Sequence, residues 1–148
     1  MSTPSHLISL RPATAADLPF LLALRRSAMT PHLQAAGIAQ DEAGMMERVL
    51  VGFEGARIIE FAGGAIGLLK MIKGERAWDI VQIQLLPEWQ GQGIGALLLS
   101  QALAEAAEAK ATVLLSVLKV NKARRLYERL GFSVISEDEN SYSMRAMP

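Results

Sequence analysis

The stretch from Pro87 to Gly95 constrains the fold more than any other part of this 148-residue chain. An apolar run, Trp78–Leu86, ends at Pro87, and residues 90–95 then read Gln-Gly-Gln-Gly-Ile-Gly. Beyond Gly93, apolar residues recur at the spacing of one face of a helix. The pattern predicts a strand, a glycine-rich turn and a helix in direct succession.

This turn is suited to binding an anion. Because glycines 91, 93 and 95 lack a Cβ, successive backbone N–H groups can point toward one ligand. The start of the helix adds unpaired N–H groups and roughly half a positive charge, so a pyrophosphate fits the site. A tight connection without any ligand would explain the glycines as well, and the turn alone leaves both interpretations open.

Residues 91–96 share features with two other phosphate-binding motifs. Their spacing satisfies the loose dinucleotide fingerprint, which requires an acidic residue after the next strand. That strand ends in Lys119-Val120-Asn121, without a carboxylate. A mononucleotide P-loop requires Lys and then Ser or Thr after its last glycine, but Ala96-Leu97 follows Gly95. The sequence therefore disfavours both motifs.

The rest of the chain predicts a single α/β domain, residues 1–148, with the element order βααβββαβαββ. The predicted strands are His6–Leu10, Arg57–Ala62, Ala65–Ile72, Trp78–Leu86, Thr112–Leu118, Phe132–Ile135 and Ser141–Ala146. The predicted helices are one capped by Thr14 or Asp17, one over Glu42–Phe53, one over Gly93–Lys110 and one from Asn121 to Gly131. Pro31 and Gly37 are expected to break the region between the first two helices.

Composition excludes several classes of site. The chain has no cysteine and only two histidines, so thiolate catalysis, disulfides and multi-histidine metal centres are not expected. Fifteen basic residues balance fifteen acidic ones, so neither nucleic acid nor an acidic membrane is an expected partner. The N-terminus lacks the pattern of a signal peptide, and no apolar run reaches the ~20 residues of a bilayer span. A cytoplasmic location is predicted.

Two signatures together resemble the GNAT superfamily of acyl-CoA N-acyltransferases. Residues 90–95 match each specified position of its Q/R-x-x-G-x-G/A motif. A second signature, an asparagine leading into a helix with Leu-Tyr and Gly-Phe pairs, is present as Asn121, Ala123, Leu126-Tyr127 and Gly131-Phe132. The two signatures stand in the family's order, one helix and one strand apart.

The resemblance implies a mixed β-sheet that is splayed at its centre and flanked by helices. It also implies transfer of an acetyl or other short acyl group from acetyl-CoA, as co-substrate, to a primary amine within a ternary complex. No metal is implied, and a homodimer is possible for a member of this superfamily. The alternative function is a non-catalytic CoA-binding sensor or regulatory module with the same fold. The identity of the acceptor amine is not predicted.

The resemblance also implies roles for individual residues. The backbone of Ile83, Gln84 and Leu85 is expected to pair with the pantetheine arm, as an added strand does. Asn121 is expected to contact pantetheine, and the hydroxyl of Tyr127 to protonate the departing thiolate. The pyrophosphate is expected to lie at the turn formed by Gln90, Gly91, Gln92, Gly93, Ile94, Gly95 and Ala96.

The two catalytic candidates each have a structural alternative. Tyr127 lies on the apolar stripe of its helix, where a core aromatic is equally typical. Asp79 stands eleven residues before Gln90, where histone-acetylating members have a glutamate base, but it also suits the solvent end of a strand. Other members place the base at the position that Ser116 occupies here, so that version of the base is absent.

Several polar residues are weaker candidates for the acceptor site. Gln82 and Gln84 interrupt an apolar strand and could line the acceptor cleft or form a half-exposed face. The acidic run 137–139 could attract a cationic amine or be a solvated turn. The remaining candidates, in the first helical region, are Arg25, Arg26 and His32.

Overall fold

The structure, a computed structural model, describes the backbone of residues 5–35 and 42–148 and the side chains of residues 6–27 and 42–148. Its helices and strands follow the predicted order, with short 3-10 turns between some of them. The strands are β1 (Ile8–Pro12), β2 (Ala56–Phe61), β3 (Gly64–Lys73), β4 (Ala77–Leu85), β5 (Thr112–Leu118), β6 (Ser133–Glu137) and β7 (Ser141–Ala146). The helices are α1 (Leu18–Ala35), α2 (Glu42–Leu50), α3 (Ile94–Glu108) and α4 (Arg124–Arg129).

The seven strands form one mixed sheet in the order β1-β2-β3-β4-β5-β7-β6. All neighbouring strands run antiparallel except β4 and β5, which are parallel. A parallel pair requires a crossover, and α3 supplies it between β4 and β5. The predicted mixed α/β fold is confirmed.

Two hydrophobic clusters occupy the two faces of the sheet. Neighbouring residues of one strand point to opposite faces, so Ile58 joins one cluster and Ile59 the other. The larger cluster contains Leu98 and Leu99 of α3 and Tyr127 of α4. The smaller one contains Leu21 and Leu24 of α1 and Val49 of α2. Each fully buried aliphatic side chain of this kind contributes about 1.5–3 kcal/mol to stability.

The first helix begins near the predicted caps and ends beyond the predicted break. Thr14 and Asp17 form a reciprocal capping box, in which the Asp17 carboxylate accepts the Thr14 N–H at 2.8 Å. The expected break at Pro31 is wrong, because α1 continues to Ala35. A proline inside a helix removes one backbone hydrogen bond but does not force the helix to end. Gly37 and the side chain of His32 lie outside the described residues.

A buried lysine joins β3 to α2. Lys70 is fully buried, and its Nζ donates to the carbonyl oxygens of Arg48, Val49 and Val51 at 3.2, 2.8 and 2.6 Å. These carbonyls lie at the end of α2, where helix carbonyls lack partners and carry partial negative charge. The ammonium therefore caps α2 and holds its end against the sheet.

None of the helices in the described part of the chain is long and apolar enough to cross a bilayer. Among the side chains described, those of residues 6–27 and 42–148, His, Asp and Glu form no cluster suited to a metal ion.

Candidate functional site

The sheet opens between its two parallel strands. Hydrogen-bonded pairing of β4 with β5 covers only Ala77–Ile80 against Thr112–Leu115. Beyond that point β4 stays paired with β3, and β5 stays paired with β7. One side of the backbone from residue 81 to residue 85 is therefore left without a neighbouring strand.

A β-bulge lies where the strands part. On β3, Lys70 and Met71 are consecutive, but their partners on β4 are Gln82 and Ile80, so Val81 is an extra residue. An extra residue bends its strand and increases the local twist, which accounts for the separation of β4 from β5. The bulge also shifts the alternation of side chains, so that Ile80, Ile83 and Leu85 all contact the larger core cluster.

The opposite face of β4 carries two glutamines. Gln84 is buried, with 5% of its surface exposed, and its Nε2 has no hydrogen-bond partner. Gln82 is half-buried and lies opposite Lys70. The expectation of a half-exposed strand face is therefore wrong for Gln84, which is buried. A buried polar atom without a partner costs stability. The Gln84 amide therefore lies beside the open backbone with a donor that no described protein group uses.

A close approach of β3 holds the open strand in place. A Cβ on Gly67 would lie 2.3 Å from the carbonyl oxygen of Gln84, so only glycine fits there. Gly67 is paired with Leu85, the last residue of β4. A glycine inside an apolar strand was the available sequence signal for this contact, and the sequence interpretation missed it.

The glycine turn has the predicted geometry. Gly91 and Gly93 have φ of 76° and 82°, a left-handed backbone that favours glycine. Gly93 is the N-cap of α3 and offers no side chain to the free N–H groups of its first turn. An added Cβ at Gly91, Gly93 or Gly95 would meet no protein atom within 4 Å. The turn therefore presents backbone donors to open space, which fits a phosphate.

The open strand and the glycine turn line one cavity of about 460 Å³, a volume typical of a ligand site. Further lining comes from α4 and the loop before it. The residues around the cavity are Ile83, Gln84, Leu85, Gln90, Gly91, Gly93, Ile94, Gly95, Ala96, Leu99, Asn121, Ala123, Leu126, Tyr127 and Arg129.

Ten of the eleven residues predicted to contact the co-substrate line this cavity, and Gln92 does not. Gln92 instead donates through Nε2 to the carbonyl of Glu88 at 3.0 Å. Gln90 Nε2 donates to the carbonyl of Leu85 at 3.0 Å and so ties the turn to the end of β4. Asn121 Oδ1 accepts the Ala123 N–H at 2.9 Å, which orders the entry into α4.

Tyr127 is buried, packs edge-on against Phe132 at 6.0 Å between ring centroids, and lines the cavity. Burial raises the pKa of its hydroxyl, because the phenolate would lose hydration. The hydroxyl therefore stays protonated throughout the neutral range and can serve as a hydrogen-bond donor.

Asp79 is not brought into the cavity. It belongs to the paired part of β4, opposite Ile72 and Leu114, one residue before the last pair with β5. Its side chain points away from the face on which Trp78 and Ile80 are buried. It is exposed, yet partial desolvation raises the pKa of its carboxyl.

One residue of the cavity was missed by sequence analysis. Arg129, at the end of α4, lines the wall together with Ala123 and Leu126. Their spacing of three residues places them along one side of a helix. That spacing was the signal available, but an arginine on a helix usually indicates a solvated face.

Solved structures of similar fold cover nearly the whole chain. PaiA N-acetyltransferase from Thermoplasma acidophilum, in complex with coenzyme A, is 18% identical with a TM-score of 0.74, over 95% of this chain and 99% of that one. The ribosomal-protein-S18-alanine N-acetyltransferase from Escherichia coli is 19% identical with a TM-score of 0.71, over 95% and 93%. Arabidopsis thaliana Naa50, in complex with the bisubstrate analogue CoA-Ac-MVNAL, is 16% identical with a TM-score of 0.70, over 96% and 99%.

A search of curated proteins finds no match to this chain. A family model described as acetyltransferase (GNAT) domain matches residues 46–134, the region that contains the open strand, the glycine turn and α4. The chain belongs to the GNAT family of acetyltransferases.

Proposed function

We propose that this protein transfers an acetyl or other short acyl group from its CoA thioester to a primary amine. The observation that carries the proposal is that one cavity contains three features this reaction requires. These are the glycine turn at the start of α3, the open backbone of β4 and the side chain of Tyr127. Family membership and the CoA-bound structures of similar fold support the same co-substrate.

The binding roles follow from the donors that the chain leaves unused. The backbone N–H groups of residues 91–96 and the start of α3 hold the pyrophosphate. The open side of β4, where the backbone groups of Ile83 and Leu85 point away from β3, pairs with the amides of pantetheine, as a strand would. Asn121 Oδ1 is occupied by the Ala123 N–H, so its NH2 group is the part available to pantetheine.

The reaction needs few protein groups. The neutral amine attacks the thioester carbonyl, a C–N bond forms, the C–S bond breaks, and the amine loses one proton. The Tyr127 hydroxyl donates a proton to the departing thiolate sulfur. Holding both reactants in one cavity supplies much of the acceleration. A backbone N–H of the open strand, that of Leu85, polarises the carbonyl oxygen.

Amine-dependent release of CoA tests the proposal directly. Because the chain has no cysteine, a thiol reagent added to the reaction detects free CoA without background from the protein. The amine panel includes peptides with free N-termini, lysine peptides, glutamate and polyamines, with an amine-free reaction as control. We expect at least one amine to raise CoA release well above hydrolysis. Tight CoA binding without any such increase would instead identify a CoA-binding module.

We propose further that Asp79 accepts the amine's proton through a water molecule. It lies beside the point where β4 leaves β5, and its raised pKa makes it a stronger base than a fully hydrated carboxylate. Asp79→Asn is expected to lower kcat/KM by about 10²-fold at neutral pH. The loss should shrink as pH rises, because an amine with pKa ~10.4 then deprotonates by itself. A loss that is constant with pH, or none, would exclude this role.

A further inference from the structure

The cavity wall carries one charged residue. Within the described part of the chain, its lining consists of glycines, apolar residues, amide side chains, Tyr127 and the single cation Arg129. Arg129 is exposed and forms no ion pair with a described carboxylate. The adjacent Glu128 is engaged instead with Arg124, at 3.5 Å. A guanidinium at the cavity is therefore left to pair with a bound anion.

The cavity offers two separate places for negative charge. One is the glycine turn, whose backbone donors suit the pyrophosphate. The other is Arg129 at the end of α4, which lines the same cavity. CoA also has two anionic positions, because its ribose carries a 3′-phosphate monoester in addition to the pyrophosphate. With the pyrophosphate at the backbone donors, the 3′-phosphate is the group left for a side-chain cation.

The wall along α4 has the length for this arrangement. Asn121, at the entry to the helix, is the expected contact of pantetheine, and Arg129 ends the helix eight residues later. At 1.5 Å per residue, the helical part from Arg124 to Arg129 alone spans about 7.5 Å. In CoA the pyrophosphate lies between pantetheine and the ribose, so one extended ligand can reach both ends of the wall.

We propose that Arg129 binds the ribose 3′-phosphate of CoA and thereby discriminates CoA from 3′-dephospho-CoA; this rests on the proposed function. A phosphate monoester carries a charge near −2 at neutral pH and matches the paired N–H groups of a guanidinium. The contact lies at the exposed rim, so salt should weaken it. Arg129 is a residue of co-substrate specificity that takes no part in acyl transfer.

The test measures dissociation constants of CoA and 3′-dephospho-CoA by calorimetry, for the parent and for Arg129→Gln. We expect the parent to prefer CoA by about 10-fold at low ionic strength. Arg129→Gln should reduce that preference to about 1 and leave the affinity for dephospho-CoA unchanged. Arg129→Lys should keep part of the preference. Arg125→Gln is the matched control, since Arg125 is an exposed arginine of the same helix outside the cavity lining, and it should behave as the parent.

Three results would overturn the proposal. If the parent binds both ligands equally, the 3′-phosphate is not recognised. If Arg129→Gln weakens both ligands by the same factor, Arg129 contacts the pyrophosphate or shapes the cavity. If the parent binds neither ligand, the proposed function fails together with this inference. Equal thermal stability of the ligand-free parent and variants shows that none of these results reflects unfolding.

Discussion

At the scale of single residues, Tyr127 shows how one side chain can belong to both the core and the site. Its ring packs against Phe132 while its surface also lines the cavity. The apolar spacing of α4 predicts the packing and does not predict the hydroxyl's surroundings. Only the Leu-Tyr and Gly-Phe pairs, as a family signature, predict a role for the hydroxyl.

Tyr127→Phe separates these two contributions. The ring is kept, so packing and CoA affinity should change little, but the proton donor for the thiolate is lost. We expect kcat to fall by about 10- to 1,000-fold, since a thiol with pKa ~8.5 is a tolerable leaving group without help. A CoA thioester with a better leaving group should recover part of the loss. Turnover equal to that of the parent would make Tyr127 a core aromatic only.

At the scale of elements, the sequence determines the order of strands and helices better than the contacts between them. The bulge at Val81 depends on which residues of β3 lie opposite β4, and nothing within β4 itself marks it. Lys70 looks like a surface residue of a strand, yet it is fully buried, because the end of α2 supplies three carbonyl acceptors. Both features arise from pairing across the sheet, which periodicity along one segment does not encode.

The contact of Lys70 with α2 predicts an unusual dependence of stability on pH. Burial, with the nearby charges of Arg25 and Arg48, lowers the pKa of Lys70 to about 8, and Glu54 partly opposes this. In the unfolded chain the pKa is near ~10.4. Between these values the unfolded state binds more protons, so the free energy of unfolding contributed by this residue rises with pH.

Lys70→Met removes this titration and provides the comparison. The free energy of unfolding of the parent, relative to that of Lys70→Met, is expected to increase by about 2 kcal/mol between pH 8 and pH 10. Urea titrations of both proteins across this range measure the difference, and other lysines and tyrosines cancel in it. Parallel curves for the two proteins would mean that the buried ammonium keeps an ordinary pKa.

At the scale of the whole molecule, most of the cavity was predictable because two motifs fix its two walls. The glycine turn marks the start of α3, and the Asn121 signature marks the entry into α4. The two motifs are one helix and one strand apart along the chain, so one follows β4 and the other follows β5, the two parallel strands that separate. Gly67 was not predictable in the same way, because it acts through Gln84, which is distant in sequence. Arg129 was missed because an arginine on a helix usually indicates a solvated face.

Gly93→Asp tests whether ligand binding at the turn stabilises the whole fold. A Cβ at Gly93 meets no protein atom, but a carboxylate there would repel a pyrophosphate. CoA at about 100 times its Kd should stabilise the parent by ~2.7 kcal/mol, which raises Tm by about 5–10 °C. The variant should show no such increase.

Gly63→Asp is the matched control for that experiment. Gly63 also has a positive φ, of 87°, and open space around its Cβ, but it lies in the turn between β2 and β3. It therefore carries the same backbone strain and the same charge without approaching the cavity. The control should keep the full CoA-induced increase in Tm, and an equal increase in Gly93→Asp would place the co-substrate elsewhere.

The parting of β4 from β5 has a consequence for how the protein avoids aggregation. Unpaired backbone groups on a long outer strand invite pairing with other chains. Here the unpaired stretch from residue 81 to residue 85 lies inside the sheet, with β5 standing opposite it. Another polypeptide could add there only by entering a wedge that closes at Ile80. A thin, extended molecule can enter this wedge, but the edge strand of another folded protein cannot. The unpaired backbone groups are therefore accessible to an extended ligand and protected from pairing with other chains.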